Sequence, residues 1–325
     1  MRFGTFVPQG WKMDQVGVPV AEQWPRIAAA AATIEEVGYD SLWVYDHFHT
    51  HPIPSQESTF EAWTLMAALA VITDRVRIGQ MCTCIPYRSP ALLAKMAMSV
   101  DAMSGGRLNV GIGAGWSVKE FKGYGYRFPP AGERLDMLEE AAQVLLEMWT
   151  SDEAHFAGRH YNLDGAITRP RSLQEPHPPL WIAGSGEKRT LRIVARYGDF
   201  ANFSADLEEF AHKSSVLAEH CQAVGRNYQD IGRSVHLMAV VGRDEADLNR
   251  KLEEAGRRRS CTPDEFRSEH LAGTVAEVTD LMGRYAEAGC SDMLLYFYDI
   301  GALDSLEVFA TEVMPQLQRW GGSDE

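Results

Sequence analysis

A carboxylate and an imidazole stand side by side early in the chain, at Asp46 and His47. They directly follow the apolar run at residues 41–45, which has the composition of a strand. Such a pair can be structural, can be part of a metal site, or can act as a general acid and base beside a cofactor. A metal site needs further ligands, and the nearby His49 and His51 lie in a polar loop where we expect solvated side chains.

Two glycines flank a serine at Gly184, Ser185 and Gly186, between a short apolar run and a helical pattern. At the N-terminus of a helix, such a turn presents backbone N–H groups and the positive end of the helix dipole to an anion. A phosphorylated cofactor would fit there. The alternative is that the glycines only allow a tight turn.

The stretch at residues 76–88 reads VRIGQMCTCIPYR and begins as a buried strand. Met81, Cys82, Thr83 and Cys84 then interrupt its apolar pattern. A strand that becomes irregular at its C-terminal end predicts a β-bulge, and bulges are frequent beside active sites. We therefore expect these four residues at a functional site.

The elements that must position these residues alternate between strands and helices. Predicted strands cover residues 2–7, 41–45, 76–82, 107–111, 180–183, 200–203, 234–241 and 292–298. Predicted helices cover residues 20–37, 59–73, 90–103, 132–149, 188–197, 207–224, 245–256, 274–288 and 303–317. No tight hairpin turn joins successive core strands, so parallel pairing with right-handed crossovers follows. The pattern predicts an α/β protein with a (β/α)8 TIM barrel.

An open, doubly wound sheet is the alternative fold. Its dinucleotide fingerprint would follow the first strand, where the chain has Pro8, Gln9 and Gly10 instead. The motif GIGAG at residues 111–115 is too short for that fingerprint and lacks an acidic partner on a following strand. We therefore favour a single barrel domain at residues 1–325, with an insertion region at about residues 151–179.

In a TIM barrel the active site lies at the C-terminal ends of the strands. Besides the groups already named, those ends carry Gln9, Gly111, Gly113 and Trp116. Polar side chains at a strand end cost stability unless they are satisfied, so several of them at one rim favour a functional explanation. We expect Gln9 and Trp116 in the substrate pocket, where Trp116 is either a cap over the barrel mouth or an aromatic wall.

Composition and charge exclude several classes of partner. The chain has 31 Lys and Arg against 45 Asp and Glu, a net charge of −14, which repels nucleic acid and anionic lipid surfaces. No apolar run approaches the roughly 20 residues of a membrane span, and no leader precedes the first strand, so we expect a cytoplasmic protein that acts on a small molecule. The five cysteines lack metal-binding spacing, and we expect reduced thiols and no metal site.

Several longer stretches together resemble one known family. They are SLWVYDHFHT (41–50), EAWTLMAALAVITDRVRIG (61–79), PYRSPALLAKMAMSVDAMSGGRLNVGIGAGW (86–116), GERLDMLEEA (132–141) and PPLWIAGSGEKRTLRIVARYGD (178–199). On these motifs the chain resembles the bacterial luciferase-like superfamily, in particular its branch of actinobacterial oxidoreductases that depend on the deazaflavin coenzyme F420. The resemblance extends over nearly the whole chain.

This resemblance implies a barrel that binds a flavin-type ring at its C-terminal mouth. By position, Met81-Cys82 would be a non-prolyl cis peptide that supports the middle of the ring, and Thr83 and Cys84 would continue that wall. Asp46 would approach the ring and His47 the substrate. The glycines at residues 111–115 would let the backbone approach the cofactor, and residues 184–186 would hold its phosphate.

One departure from the family pattern bears on the substrate. Sugar-phosphate dehydrogenases of this family place a glutamate acid where this chain has Trp116, which argues against glucose 6-phosphate and leaves His47 as the expected proton-transfer residue. Three functions follow as hypotheses: hydride transfer between F420 and a carbonyl, alcohol or activated double bond; an FMN-dependent monooxygenase; and a non-catalytic cofactor-binding barrel. Relatives are often dimers, so the resemblance also allows a homodimer.

Overall fold

The computed structural model describes residues 1–259 and 261–320. The strands are β1 (Arg2–Phe6), β2 (Ser41–Val44), β3 (Arg77–Gln80), β4 (Thr83–Cys84), β5 (Leu108–Gly113), β6 (Ala154–Ala157), β7 (Asn162–Ala166), β8 (Leu180–Ala183), β9 (Phe200–Phe203), β10 (Gly232–Gly242), β11 (Leu271–Thr274) and β12 (Asp292–Phe297).

A closed parallel barrel forms from most of these strands. β1, β2, β3, β5, β8, β9, β10 and β12 pair in this order, and β12 pairs with β1 to complete the circle. β4 continues the direction of β3 after a two-residue interruption and pairs with β5. β11 pairs with the end of β10, beyond the part that pairs with β9. The predicted α/β barrel is confirmed, and the open sheet is excluded because each of these eight strands is paired on both sides, so that the circle has no edge.

The helices surround the barrel. They are α1 (Val20–Glu36), α2 (Ala62–Ile72), α3 (Pro90–Met103), α4 (Val118–Gly123), α5 (Ala131–Thr150), α6 (Thr190–Tyr197), α7 (Leu207–Val224), α8 (Glu245–Arg259), α9 (Pro263–Glu269), α10 (Val275–Glu287), α11 (Asp304–Val308) and α12 (Met314–Trp320), with a π-helical segment Phe309–Val313 between the last two. Across residues 1–259 and 261–320, we find no helix with the length and apolar character needed to cross a membrane.

Burial explains why these segments adopt their structures. All six residues of β12 and all four of β2 are buried, because one face of each strand fills the barrel interior and the other contacts helices. On α5 the buried side chains include Leu138, Ala142 and Leu145, which recur at helical spacing on the face toward the barrel. The core therefore holds the strand ends in fixed positions around the mouth.

The structure departs from the predicted elements in three places. α4 lies in a stretch predicted as loop, and α9 and β11 occupy a stretch left unassigned. A sequence signal for α9 exists, because Thr262 and Glu265 form a capping box and Pro263 follows the cap. β5 also extends further than predicted, so Gly111 and Gly113 lie within the strand.

An antiparallel hairpin of β6 and β7 lies within the segment 151–179. Phe156 belongs to β6, whereas Tyr161 lies in the turn, where its carbonyl accepts a hydrogen bond from the amide of Gly158. The carboxylate of Glu140 on α5 accepts hydrogen bonds from the amides of His160 and Tyr161 at 2.8 and 3.1 Å. These bonds attach the hairpin to the outer surface of α5.

Candidate active site

A cavity of about 370 Å³ opens among the C-terminal ends of the strands. The side chains and backbone that line it are Trp11, Tyr45, Asp46, His47, Met81, Cys82, Cys84, Tyr87, Gly113, Ala114, Gly115, Trp116, Ser117, Leu138, Ala183, Gly184, Ser185, Thr190, Asn202, Ser204 and His236. Most of the residues predicted for the site from the sequence meet at this cavity. Four do not line it: Gln9, Thr83, Gly111 and Gly186.

His47 lies on the wall of the cavity in a fixed orientation. Its Nδ1 is 2.7 Å from Oε2 of Glu120, and its ring stacks on Trp11 with centroids 4.0 Å apart and planes 7° apart. Within the described part of the chain, Nε2 has no hydrogen-bond partner. Because a carboxylate can only accept, the bond fixes a proton on Nδ1 and leaves Nε2 available to a substrate.

Glu120 is completely buried on α4 and accepts several further hydrogen bonds. Its donors are the amide of Phe48 at 2.7 Å, the amide of His49 at 3.4 Å and the hydroxyl of Tyr87 at 3.2 Å. Burial alone would raise the pKa of this carboxyl, but the bonds from His47 and Phe48 hold it below its ordinary value. Glu120 therefore stays ionised and anchors the imidazole.

Asp46 is buried beside His47, and both of its carboxylate oxygens are engaged. Arg88 Nη1 and Nη2 donate to Oδ2 and Oδ1 at 2.6 and 2.8 Å, and the amide of Cys84 donates to Oδ2 at 2.8 Å. A two-pronged pair of this kind is strong and directional. Asp46 thus holds the segment after β3 against β2, and its orientation is set before any ligand binds.

The chain between β3 and β4 forms the irregular segment that the sequence predicts. The Met81-Cys82 peptide is cis, as the resemblance implies. Cys82 and Cys84 line the cavity, whereas Thr83 points away from it and its buried hydroxyl donates to Gln80 Oε1. Burial raises the pKa of the Cys82 thiol to about 12 and that of Cys84 further still, so neither is a nucleophile at neutral pH.

The glycines of β5 make room for this irregular segment. A Cβ on Gly113 would lie 2.5 Å from Sγ of Cys82, and one on Gly111 would collide with the carbonyl oxygen of Gln80. Gly115, just after β5, is similarly blocked by Sγ of Cys84. Only Gly113 and Gly115 also line the cavity, so the main role of this glycine repeat is to pack against β3 and β4.

Gln9, predicted in the substrate pocket, is instead a buried structural residue. Its side-chain amide donates to the carbonyls of Tyr45 and Phe60 at 2.8 and 2.7 Å, and its carbonyl accepts from the amide of Tyr45 at 2.7 Å. All of its polar atoms are thus used to join the loops after β1 and β2. At this strand end the polar side chain of Gln9 forms hydrogen bonds with neighbouring backbone groups and has none left for a ligand.

Gly184, Ser185 and Gly186, which we call the glycine turn, connect β8 to the approach of α6. Gly184 has φ of +127°, a conformation that favours glycine, and it lines the cavity together with Ser185. A Cβ on Gly186 would lie 2.8 Å from Thr190 Oγ1, which explains why this position has no side chain. The Ser185 hydroxyl has no hydrogen-bond partner among residues 1–259 and 261–320.

Aromatic and imidazole rings form the rest of the cavity wall. Trp116 is 58% exposed and meets His47 edge-on with centroids 5.6 Å apart. On the other side the Tyr45 hydroxyl lies 2.9 Å from Nε2 of His236. Burial first, and then repulsion from Lys12, lowers the pKa of His236 to about 3, so this imidazole is neutral at physiological pH.

Sequence reasoning missed Glu120, Trp11, Arg88 and His236. A signal existed for Glu120, because an acid four residues after Trp116 in a stretch with helical propensity lies near the start of a helix. The other three had none that separates them from core residues. Their roles depend on contacts with distant parts of the chain.

The residues at the mouth fit a planar cofactor with a phosphate group. The glycine turn lines the cavity with Gly184 and Ser185, and the Ser185 hydroxyl has no hydrogen-bond partner in the described residues. Met81 and Cys82 add apolar, sulfur-containing side chains to the lining. Such a combination of apolar wall and small polar turn is typical of sites for phosphorylated ring cofactors.

Comparisons with known proteins agree with this geometry. The sequence profile described as luciferase-like monooxygenase matches residues 1–287. An F420-dependent glucose-6-phosphate dehydrogenase of Amycolatopsis mediterranei is 31% identical over 237 residues, which cover 69% of this chain and 68% of that protein. Pyrimidine monooxygenase RutA of Escherichia coli is 25% identical, with 98% of this chain and 96% of that protein covered. A solved F420-dependent secondary alcohol dehydrogenase, in complex with an F420-acetone adduct, has the same fold, with a TM-score of 0.78, 24% identity, and 97% and 98% of the two chains covered.

Proposed function

The chain belongs to the luciferase-like monooxygenase family, and from that premise we propose that it is an oxidoreductase that uses coenzyme F420 to transfer a hydride to or from a small organic substrate. The substrate would carry a carbonyl, an alcohol or an activated double bond. When bound, the deazaflavin supplies a ring carbon that accepts or gives the hydride. The glycine turn would hold its phosphate, and Met81 and Cys82 would contact its ring.

We base this proposal above all on the His47–Glu120 pair at the cavity wall. Conversion between an alcohol and a carbonyl moves one proton besides the hydride. In the oxidation direction, Nε2 of His47 accepts the hydroxyl proton, and in the reduction direction the protonated ring returns it. Glu120 holds the other ring nitrogen at 2.7 Å and stabilises the positive charge that forms on the ring.

Other side chains position this proton carrier. Trp11 supports one face of the His47 ring, and Trp116 meets its edge. Asp46 is held by Arg88 and orders the segment that carries Cys82 and Cys84. These contacts fix the orientations of the side chains before the substrate binds. Such positioning is the main contribution of a protein to hydride transfer.

Cofactor binding tests the reaction class directly. We expect the purified protein to bind F420 in a fluorescence titration and to reduce or oxidise members of a panel of ketones, secondary alcohols and enones. Tight binding of FMN without binding of F420 would replace our proposal by the monooxygenase alternative. Binding of F420 without turnover of any panel member would favour a non-catalytic barrel.

A substitution at His47 tests the proton carrier. His47→Ala should keep its affinity for F420 while turnover falls by about 100-fold or more, the range for a lost acid or base. The matched control is His212→Ala, because His212 is exposed on α7, does not line the cavity, and forms a 3.1 Å side-chain hydrogen bond with Glu187. Unchanged turnover in His47→Ala would remove this residue from the mechanism.

A further inference from the structure

Lys12 places its ammonium beside the cavity. Lys12 is the residue after Trp11, in the loop that follows β1. Its Nζ lies 4.1 Å from the centroid of the Trp11 ring and 5.9 Å from that of Tyr45. Both rings line the cavity, and the ring of His47 stacks on that of Trp11. A partly buried ammonium thus stands within a short distance of the candidate proton carrier.

Asp14 acts on this ammonium from a distance and raises its pKa, but among the described residues no carboxylate forms an ion pair with it. The acid nearest in sequence is Asp14, but its carboxyl is buried and accepts hydrogen bonds from the amide of Gly10 at 2.6 Å and the hydroxyl of Tyr296 at 2.8 Å. Burial also raises the pKa of Asp14, which weakens its ability to balance a neighbouring charge.

Further basic groups surround Lys12. Burial first, and then repulsion from Arg259, lowers the pKa of Lys12 to about 7. Burial, followed by repulsion from Lys12, lowers the pKa of His51 to about 4. Burial and repulsion from Arg259 also lower the pKa of His270. The acid Glu269 pairs with Arg259 rather than with Lys12, with its Oε2 3.9 Å from Nη2 of Arg259.

A partly buried ammonium that packs on an aromatic ring of the cavity wall and has no ion-pair partner within 4.0 Å among the described residues is favourably balanced by an anionic ligand. The location separates this anion from the cofactor phosphate. Lys12 follows β1, whereas the glycine turn follows β8, and β2, β3 and β5 intervene on one side of the barrel while β9, β10 and β12 intervene on the other. The two sites therefore lie on opposite walls of the mouth.

We propose that Lys12 is a specificity-determining residue that binds a carboxylate on the substrate. This assignment rests on the proposed function, because it presumes that the substrate enters beside His47. The aromatic rings of Trp11 and Tyr45 bound the same space, so the favoured substrates combine an apolar body with one carboxylate. Lys12 contributes binding and orientation, and the proton transfer stays with His47.

Matched pairs of carboxylic acids and their primary amides test this assignment by isothermal titration calorimetry. Six pairs of aliphatic and aromatic keto acids and keto amides are titrated into the protein saturated with oxidised F420. We expect acids to bind about 10- to 100-fold more tightly than their amides, the range for a hydrogen bond to a charged group. Lys12→Met should abolish the difference and leave amide binding unchanged, whereas Lys12→Arg should retain most of it.

Three results would overturn the assignment: no acid binds better than its amide, Lys12→Met keeps the preference, or Lys12→Met weakens F420 binding tenfold or more. The last would show that Lys12 serves the cofactor. A separate F420 titration reports on the proposed function. If F420 does not bind, the same pairs are compared in protein saturated with FMN, through quenching of tryptophan fluorescence. The first two criteria then apply unchanged, and the third applies to FMN binding. Lys12→Gln provides a second neutral variant should Lys12→Met fail to fold.

Discussion

Replacing Glu120 by Gln is the sharpest test of the proton carrier, because the change keeps the shape of the side chain and reverses one hydrogen bond. The remaining amide oxygen can still accept from Phe48, whose amide lies 2.7 Å from Oε1. The new NH2 group, however, must donate where Oε2 accepted from Nδ1 of His47 at 2.7 Å. Nδ1 must then give up its proton, and the neutral ring carries it on Nε2 instead.

The expected magnitude follows from this tautomer. In the serine protease triad, the equivalent change of the orienting acid to its amide lowers turnover by about 10⁴. The site here differs in chemistry, so we expect turnover to fall by about 10²- to 10⁴-fold with F420 affinity unchanged. In Glu120→Gln the hydroxyl of Tyr87 also loses its charged hydrogen-bond acceptor. Together with the altered bond to His47, this loss should lower the free energy of unfolding by about 1 to 3 kcal/mol.

Three measurements decide the outcome for Glu120→Gln. Steady-state kinetics give turnover, urea denaturation gives the free energy of unfolding, and long-range ¹H–¹⁵N spectra of histidine-labelled protein report which nitrogen of His47 is protonated. Glu57→Gln is the matched control, since this partly buried glutamate has no side-chain partner in the described residues. If Glu120→Gln kept more than a third of its turnover, or if the tautomer of His47 did not change, our account of the pair would be wrong.

Further predictions concern stability. Gly113→Ala should lower the free energy of unfolding by about 1 to 3 kcal/mol, because its Cβ would lie 2.5 Å from Sγ of Cys82; addition of Cys82→Ala should restore most of the loss in urea denaturation, and a purely additive double variant would contradict the contact. Asp46→Asn removes the two-pronged ion pair and leaves the largely buried guanidinium of Arg88 only a longer one, 3.7 Å to Glu61, so it should cost about 3 kcal/mol in the same assay, whereas a cost below about 1 kcal/mol would show that the pair is dispensable. The pKa of Lys12 is lowered from 10.5 to about 7 in the folded protein, so the unfolded state binds more protons between these values and stability should rise with pH across that window. The rise, on the order of 3 kcal/mol, should be missing in Lys12→Met when melts are compared from pH 7 to pH 10.

The barrel could be predicted because its signals are local. Each strand and helix has its own periodicity, and parallel pairing follows from their alternation. The irregular end of β3 was equally visible, since Cys82 and Thr83 break an apolar run. Short elements such as β11 and α4 carry too few residues for periodicity to appear, and tertiary contacts determine their structure.

The site was predictable only where chemistry and strand ends coincide. His47 and Ser185 line the cavity, and the sequence singled them out because polar residues at such ends are unusual. Glu120 was not predicted, because its role depends on a partner far away in the sequence. Gln9 was expected in the substrate pocket, but a polar residue at a strand end can form hydrogen bonds with backbone groups instead. Gly111 was assigned to the cofactor, although the space that it leaves is filled by the carbonyl of Gln80.

The packing of β5 against the irregular segment constrains how this cavity can evolve. Gly113 faces Cys82 and Gly115 faces Cys84, so each thiol fills the space that a side chain on the opposite glycine would need. At Gly113 a larger residue is tolerated only after Cys82 has been replaced by a smaller residue, so the order of these two mutations is decisive. Gly115 is constrained more strongly, because its φ of +76° favours glycine and the ring of Phe121 lies 3.1 Å from its Cβ position. Gly111 faces the backbone carbonyl of Gln80, which no substitution removes. A library that varies Gly113 together with Cys82 would therefore reach cavity shapes that successive single substitutions cannot.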